Sequence, residues 1–114
     1  MNPMILVLVE SPFAGDVEKN LRYLRAAMRD CLLRGEAPFA SHALYTQPGV
    51  LDDQVPNERA LGIEAGLLWG RHAAKTVVYE DLGISKGMTF GIARAESEGR
   101  VVERRRLGGE WATK

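Results

Sequence analysis

The sequence predicts an α/β layered fold with a mainly parallel sheet, and three observations carry that expectation. Met4-Ile5-Leu6-Val7-Leu8-Val9 is a continuous apolar run, the pattern of a strand buried on both faces. Shorter runs at Ala37–Ala40, Thr76–Tyr79 and Val101–Arg105 read as further strands. Stretches with helical signals separate them, and strand–helix alternation of this kind builds parallel sheets.

The first strand stops at the turn-rich segment Glu10-Ser11-Pro12-Phe13-Ala14-Gly15. Asp16 is then a helix N-cap, with Val17, Leu21, Leu24, Met28 and Cys31 forming an apolar stripe that ends before Gly35. The second strand closes at Ser41-His42, and a long polar connection follows from Tyr45 to Pro56. Connections of that length in small domains are often functional. A second helix is expected from Pro56 to Arg71, then the third strand and its exit loop, Asp81 to Ser85. Ser85 caps a third helix carrying Met88, Ile92 and Ala95 and stopped by Gly99. Residues 1–107 are expected to form one domain and Gly108–Lys114 a tail.

The 114 residues suffice for one core. Fifteen basic residues balance fifteen acidic ones, which argues against nucleic acid as the partner. A single cysteine excludes an internal disulfide framework and fits a reducing, cytoplasmic setting. No apolar run approaches the ~18 residues of a membrane span, and no secretory leader is visible. No grouping of His, Cys, Asp or Glu has metal-ligand spacing, so neither metal nor cofactor is expected.

In parallel sheets ligands bind outside the carboxyl ends of the strands, which points to the loops Glu10–Gly15, Ser41–Pro56 and Glu80–Gly87. Small residues after the first strand let backbone N–H groups meet an anion, or simply make a tight turn. Glu10 is placed to accept from a ligand hydroxyl, to act catalytically, or to end a strand in solvent. Ser85-Lys86-Gly87 is a second anion candidate, with plain capping as the alternative. Glu64 falls within the apolar arc of Ala60, Leu61, Ile63, Leu67 and Leu68, where a carboxylate needs a salt bridge or a cavity. That places it as a candidate general acid–base group. His42 borders the same crevice and either meets a ligand or bonds locally. Cys31 reads as core, His72 and Trp69 as structural, and Arg104-Arg105-Arg106 as a solvated edge.

Ser11-Pro12-Phe13-Ala14-Gly15, with Asn20 and Tyr23 in the following helix, resembles the first segment of the nucleoside 2-deoxyribosyltransferase-like superfamily. The likeness continues through Pro38–His42, the helix ending at Trp69, and Ser85-x-Gly87 opening the helix with Ile92 and Ala95. The tract Ser41–Leu51 and the loop Tyr79–Ser85 are similar to an uncharacterised, largely phage-borne branch, and the deoxynucleoside 5'-monophosphate N-glycosidases are related members. The resemblance implies a flavodoxin/Rossmann-like three-layer fold with four or five strands. It also implies a pocket for a nucleoside or nucleotide, and dimers or larger homo-oligomers. In that family a glutamate six residues after the phosphate-contacting serine is the nucleophile; here, counting from Ser85, the place is Gly91. The acidic residue that assists the leaving base aligns with Gly66, with Glu64 nearby.

The expected function is therefore nucleotide binding, with Ser11, Pro12, Phe13, Ala14, Gly15, Asn20, His42, Ser85, Lys86 and Gly87 around the ligand. One form is a phage protein that sequesters a nucleotide signal without cleaving it. The alternative is an N-glycosidase or deoxyribosyltransferase whose carboxylate has moved to Glu10, Glu64 or Asp81. Asp81 sits at a strand's carboxyl end, where an Asx-type turn is its other reading.

Overall fold

A computed structural model describes residues 3–109 and 111. The elements run β1 (Ile5–Glu10), α1 (Val17–Leu33), β2 (Glu36–Phe39), α2 (Ser41–Leu44), α3 (Pro56–Gly70), β3 (Lys75–Tyr79), α4 (Lys86–Ser97) and β4 (Val101–Arg105). The four strands pair in parallel in the order β2-β1-β3-β4. The expected parallel α/β fold is what the chain adopts, with four strands. The short helix α2 was not anticipated; it occupies the start of the segment read as loop.

Alternation along β1 divides the core. Val7 and Val9 point to α1 and pack with Tyr23, Leu24, Ala27, Cys31, Val77 and Tyr79. Leu8 points the other way, toward α3, where Gly70 has no side chain to displace it. Val78 on that face packs with Met88 and Ile92 of α4. The sheet is thus the middle of three layers. The α1 connection leads from β1 to one side of the sheet and the α3 connection returns to the other, which makes the gap between β1 and β3 the topological switch point.

Asp16 caps α1 by accepting from Lys19 N at 3.2 Å. Cys31 is buried among these groups, in line with its reading as core. The basic run needs correction at its middle residue. Arg104 and Arg106 lie exposed beside Glu80, but Arg105 is buried, because successive strand residues face opposite sides. Arg105 grips both carboxylate oxygens of Glu36, at 2.8 and 2.6 Å, and donates to the Tyr79 hydroxyl at 2.9 Å. Of the expected tail, positions 110 and 112–114 lie outside the described residues, while Trp111 packs edge-on against Tyr23 at 4.9 Å between ring centroids. Among the described residues, no helix is long and apolar enough to cross a membrane.

Candidate functional site

A crevice of about 190 Å3 opens at the switch point, between α3 and α4 and above the carboxyl end of β1. Leu8 and Glu10 form its floor; Ile63, Gly66 and Leu67 form one wall, and Gly87, Met88, Phe90 and Gly91 the other. Glu10 is the last residue of β1 and shares the face of Leu8. Its carboxyl fills the space beside α4 that opens because Gly91 has no side chain. A Cβ built on Gly91 would collide with the Glu10 Cδ and both of its carboxylate oxygens. The glycine of α4 that stands at the expected glutamate position is therefore the glycine that admits a glutamate from β1.

Burial pushes the Glu10 carboxyl up to about 8, and the Arg100 guanidinium opposes this more weakly. At neutral pH the group is therefore mostly protonated. Among the described residues, no hydrogen bond engages that carboxyl. It is a half-buried, desolvated acidic group facing a cavity, available to a ligand.

Ser11 follows directly and its hydroxyl lies 2.8 Å from His42 Nε2. Desolvation lowers His42 to about 4, so the ring is neutral at pH 7. Phe13 stands edge-on to it, with ring centroids 6.5 Å apart. Asn20 donates to the carbonyls of Phe13 and Ala14 at 2.9 and 3.1 Å, and so holds the loop in shape from behind. On the opposite side Ser85 caps α4, its hydroxyl oxygen accepting from Met88 N at 3.2 Å. That bond leaves the hydroxyl hydrogen to donate. Ser85, Lys86 and Gly87 all line the crevice, at the positive end of the α4 dipole.

The structure brings Glu10, Ser11, Phe13, Ala14, His42, Ser85, Lys86 and Gly87 together. Gly15 lines a larger groove next door, while Pro12 and Asn20 are buried behind the loop. Two candidates are displaced. Glu64 is exposed to solvent and does not line the crevice, because the inward side of α3 is formed by Gly66 and Gly70 with Ile63 and Leu67 beside them, and Glu64 falls outside it. Gly66 and Gly70 are the buried residues of that helix, and a Cβ on Gly66 would collide with Ser41 Oγ. Asp81 is an anchor: it accepts from Tyr23 OH, from Leu107 N and from Gly108 N at 2.5–3.1 Å. Burial pushes Asp81 up, but these hydrogen bonds prevail and hold it below the usual carboxylate range.

Sequence reasoning missed Arg59, Asp53, Ser41 and Phe90. Arg59 Nη1 lies 3.7 Å from Asp53 Oδ2 at the mouth of the crevice. The only available signal was Asp53 within a long loop and Arg59 in the first turn of the helix after it. Among the described residues, no three His, Cys, Asp or Glu side chains gather in a way that would hold a metal ion.

The model of a family described as a domain of unknown function, DUF7768, matches residues 5–105. No curated protein matches the chain. Among solved structures, the 2-deoxyribosyltransferase of the psychrotolerant bacterium Bacillus psychrosaccharolyticus is similar in fold. Its TM-score is 0.70 at 18% identity, over 92% of this chain and 74% of that one. That enzyme is described as a biocatalyst for nucleoside synthesis. The likeness places this chain in the same Rossmann-like architecture.

Proposed function

The chain belongs to the DUF7768 family, and from that premise we propose that it binds a nucleoside or nucleoside monophosphate and cleaves its N-glycosidic bond. One observation carries the reading: the Glu10 carboxyl, half-buried at the crevice floor, fills the space that Gly91 vacates. The deoxyribosyltransferase-like architecture supports a nucleoside as the ligand class.

Glu10 acts as the acid. It is protonated at neutral pH, and it gives its proton to the departing base as the bond to the anomeric carbon breaks, with both bonding electrons leaving on the base. The carboxylate so formed faces a sugar carrying positive charge and stabilises it. Water then adds to the anomeric carbon and returns a proton to Glu10, so the cycle closes on free base and free sugar. Ser85 and Lys86 take a 5'-phosphate if one is present, and the neutral His42 meets a ligand hydroxyl or base edge.

The test is to incubate the purified protein with nucleosides and nucleoside monophosphates and to follow free base by mass spectrometry. Base is expected in proportion to enzyme and time, and Glu10→Gln is expected to lose it by at least about a hundredfold, a usual cost of removing a general acid. Unchanged release by Glu10→Gln would remove Glu10 from the reaction.

A binding role without cleavage is the second reading, in which the protein sequesters its ligand. It is favoured by the engagement of Asp53, the crevice's other carboxylate, with Arg59. Stoichiometric retention of an intact ligand with no base released would establish it. The homo-oligomer expected from the resemblance stays a proposal as well, for which Leu61, Leu68 and Trp69 of α3 offer exposed apolar surface.

A further inference from the structure

The crevice above Glu10, at about 190 Å3, is smaller than the ~300 Å3 at which sites for whole small molecules begin. It is not closed on its outer side. Phe13, Ala14, Asp53 and Arg59 line both the crevice and a neighbouring groove of about 980 Å3. We propose that the two form one bipartite site for a nucleoside diphosphate ester. The nucleoside lies over Glu10, the pyrophosphate at Arg59 and the second sugar in the groove. The inference rests on the nucleoside-cleaving reading above and names its substrate class.

The groove wall is preformed. Val50 N donates to Gln47 O and Leu51 N to Tyr45 O, both at 3.0 Å. Gln54 N donates to Asp52 Oδ1 at 2.9 Å and Asp52 N to Glu58 Oε1 at 3.0 Å. Leu51 rests against Gly62 of α3, where an added Cβ would stand 3.3 Å from its Cδ1. A ligand therefore does not have to order this segment to bind.

Charge decides what the groove accepts. Among the described residues lining it, Asp52, Asp53 and Glu58 face a single cation, Arg59. A polyphosphate chain laid there would meet repulsion along its length. Sugar hydroxyls are donors and suit the same carboxylates. Arg59 stands at the junction, its Nη2 within ordinary contact of Gly87 (3.9 Å from a Cβ built there), and Gly87 and Lys86 line the crevice beside it. Its present partner, Asp53, holds it in a partly exposed ion pair, which exchanges readily for a phosphate.

Calorimetry on the full chain tests this with matched sets: AMP, ADP and ADP-ribose; GMP, GDP and GDP-mannose; UMP, UDP and UDP-glucose; dTMP, dTDP and dTDP-glucose. At least one ester is expected to bind about tenfold or more tightly than both its monophosphate and its diphosphate. Arg59→Gln is expected to erase that advantage. Val50→Trp, which fills the groove from an exposed position, is expected to erase it while leaving monophosphate affinity unchanged. An ester no tighter than its monophosphate, or matched by its diphosphate, overturns the bipartite site and leaves the nucleoside reading standing. If no member is bound or cleaved, the nucleoside reading itself falls.

Discussion

Glu10 and His42 are both desolvated, and burial moves their proton affinities in opposite directions. The folded chain holds a proton on Glu10 that the unfolded chain releases above its ordinary value of 4.5. Stability from Glu10 is therefore full below that value and is lost as pH rises toward about 8. Between pH 6.5 and 8 the loss is about 2 kcal/mol at ~1.4 kcal/mol per unit, and Glu10→Gln is expected to remove it from urea titrations. His42 works the other way: its folded form refuses the proton that the unfolded chain takes up below 6.5. Stability falls as pH drops from there toward about 4, and His42→Gln is expected to flatten that arm. The pH profile of base release should follow Glu10 as an acid, declining above about pH 8; a rise through that pH would instead mark an ionised nucleophile. The position of Glu10 was legible as a strand end. Its burial was not, because the space it occupies belongs to Gly91, far along the chain.

At the scale of elements, α3 shows where periodicity misleads. Its apolar residues suggested a buried arc containing Glu64, yet Leu61, Leu68 and Trp69 are exposed and the glycines face inward. Apolar spacing marks a core face only when large side chains fill the interface; here close approach to α2 demands small ones. Gly66→Ala is expected to cost about 1–3 kcal/mol in chemical denaturation, since its Cβ would displace Ser41. The cap of α4 was read correctly from Ser85, because a serine three residues before an apolar position is a local signal. Ser85→Ala is expected to lower stability by about 1 kcal/mol even without ligand.

For the whole molecule, the continuous apolar strands and their spacing sufficed to predict a parallel sheet, since both faces had to be covered. What they left out is a polar network that ties the outer strands together. Arg105 of β4 holds Glu36 of β2, and Lys75 adds a contact to Glu36 at 3.1 Å. The hydrogen bonds from Arg105 hold the Glu36 carboxyl down at about 2, against burial, so its contribution is full above the ordinary value of 4.5 and is lost as pH falls from there toward about 2. Arg105→Met leaves a buried carboxylate with Lys75 alone and is expected to cost about 3–5 kcal/mol in thermal or urea unfolding. Long-range charge pairing of this kind has no sequence period, which is why Arg105 read as surface.

The central proposal is that Glu10 of β1 supplies the reacting carboxyl in the space beside Gly91, the position where the resemblance places a helix glutamate. Base release by the wild type, Glu10→Ala, Gly91→Glu and the double variant Glu10→Ala/Gly91→Glu tests it most directly. The account expects release by the wild type, loss in both single variants, and partial recovery in the double variant, whose helix-borne carboxyl enters the emptied space. Full activity in Glu10→Ala, or no recovery in a double variant that folds, would contradict it.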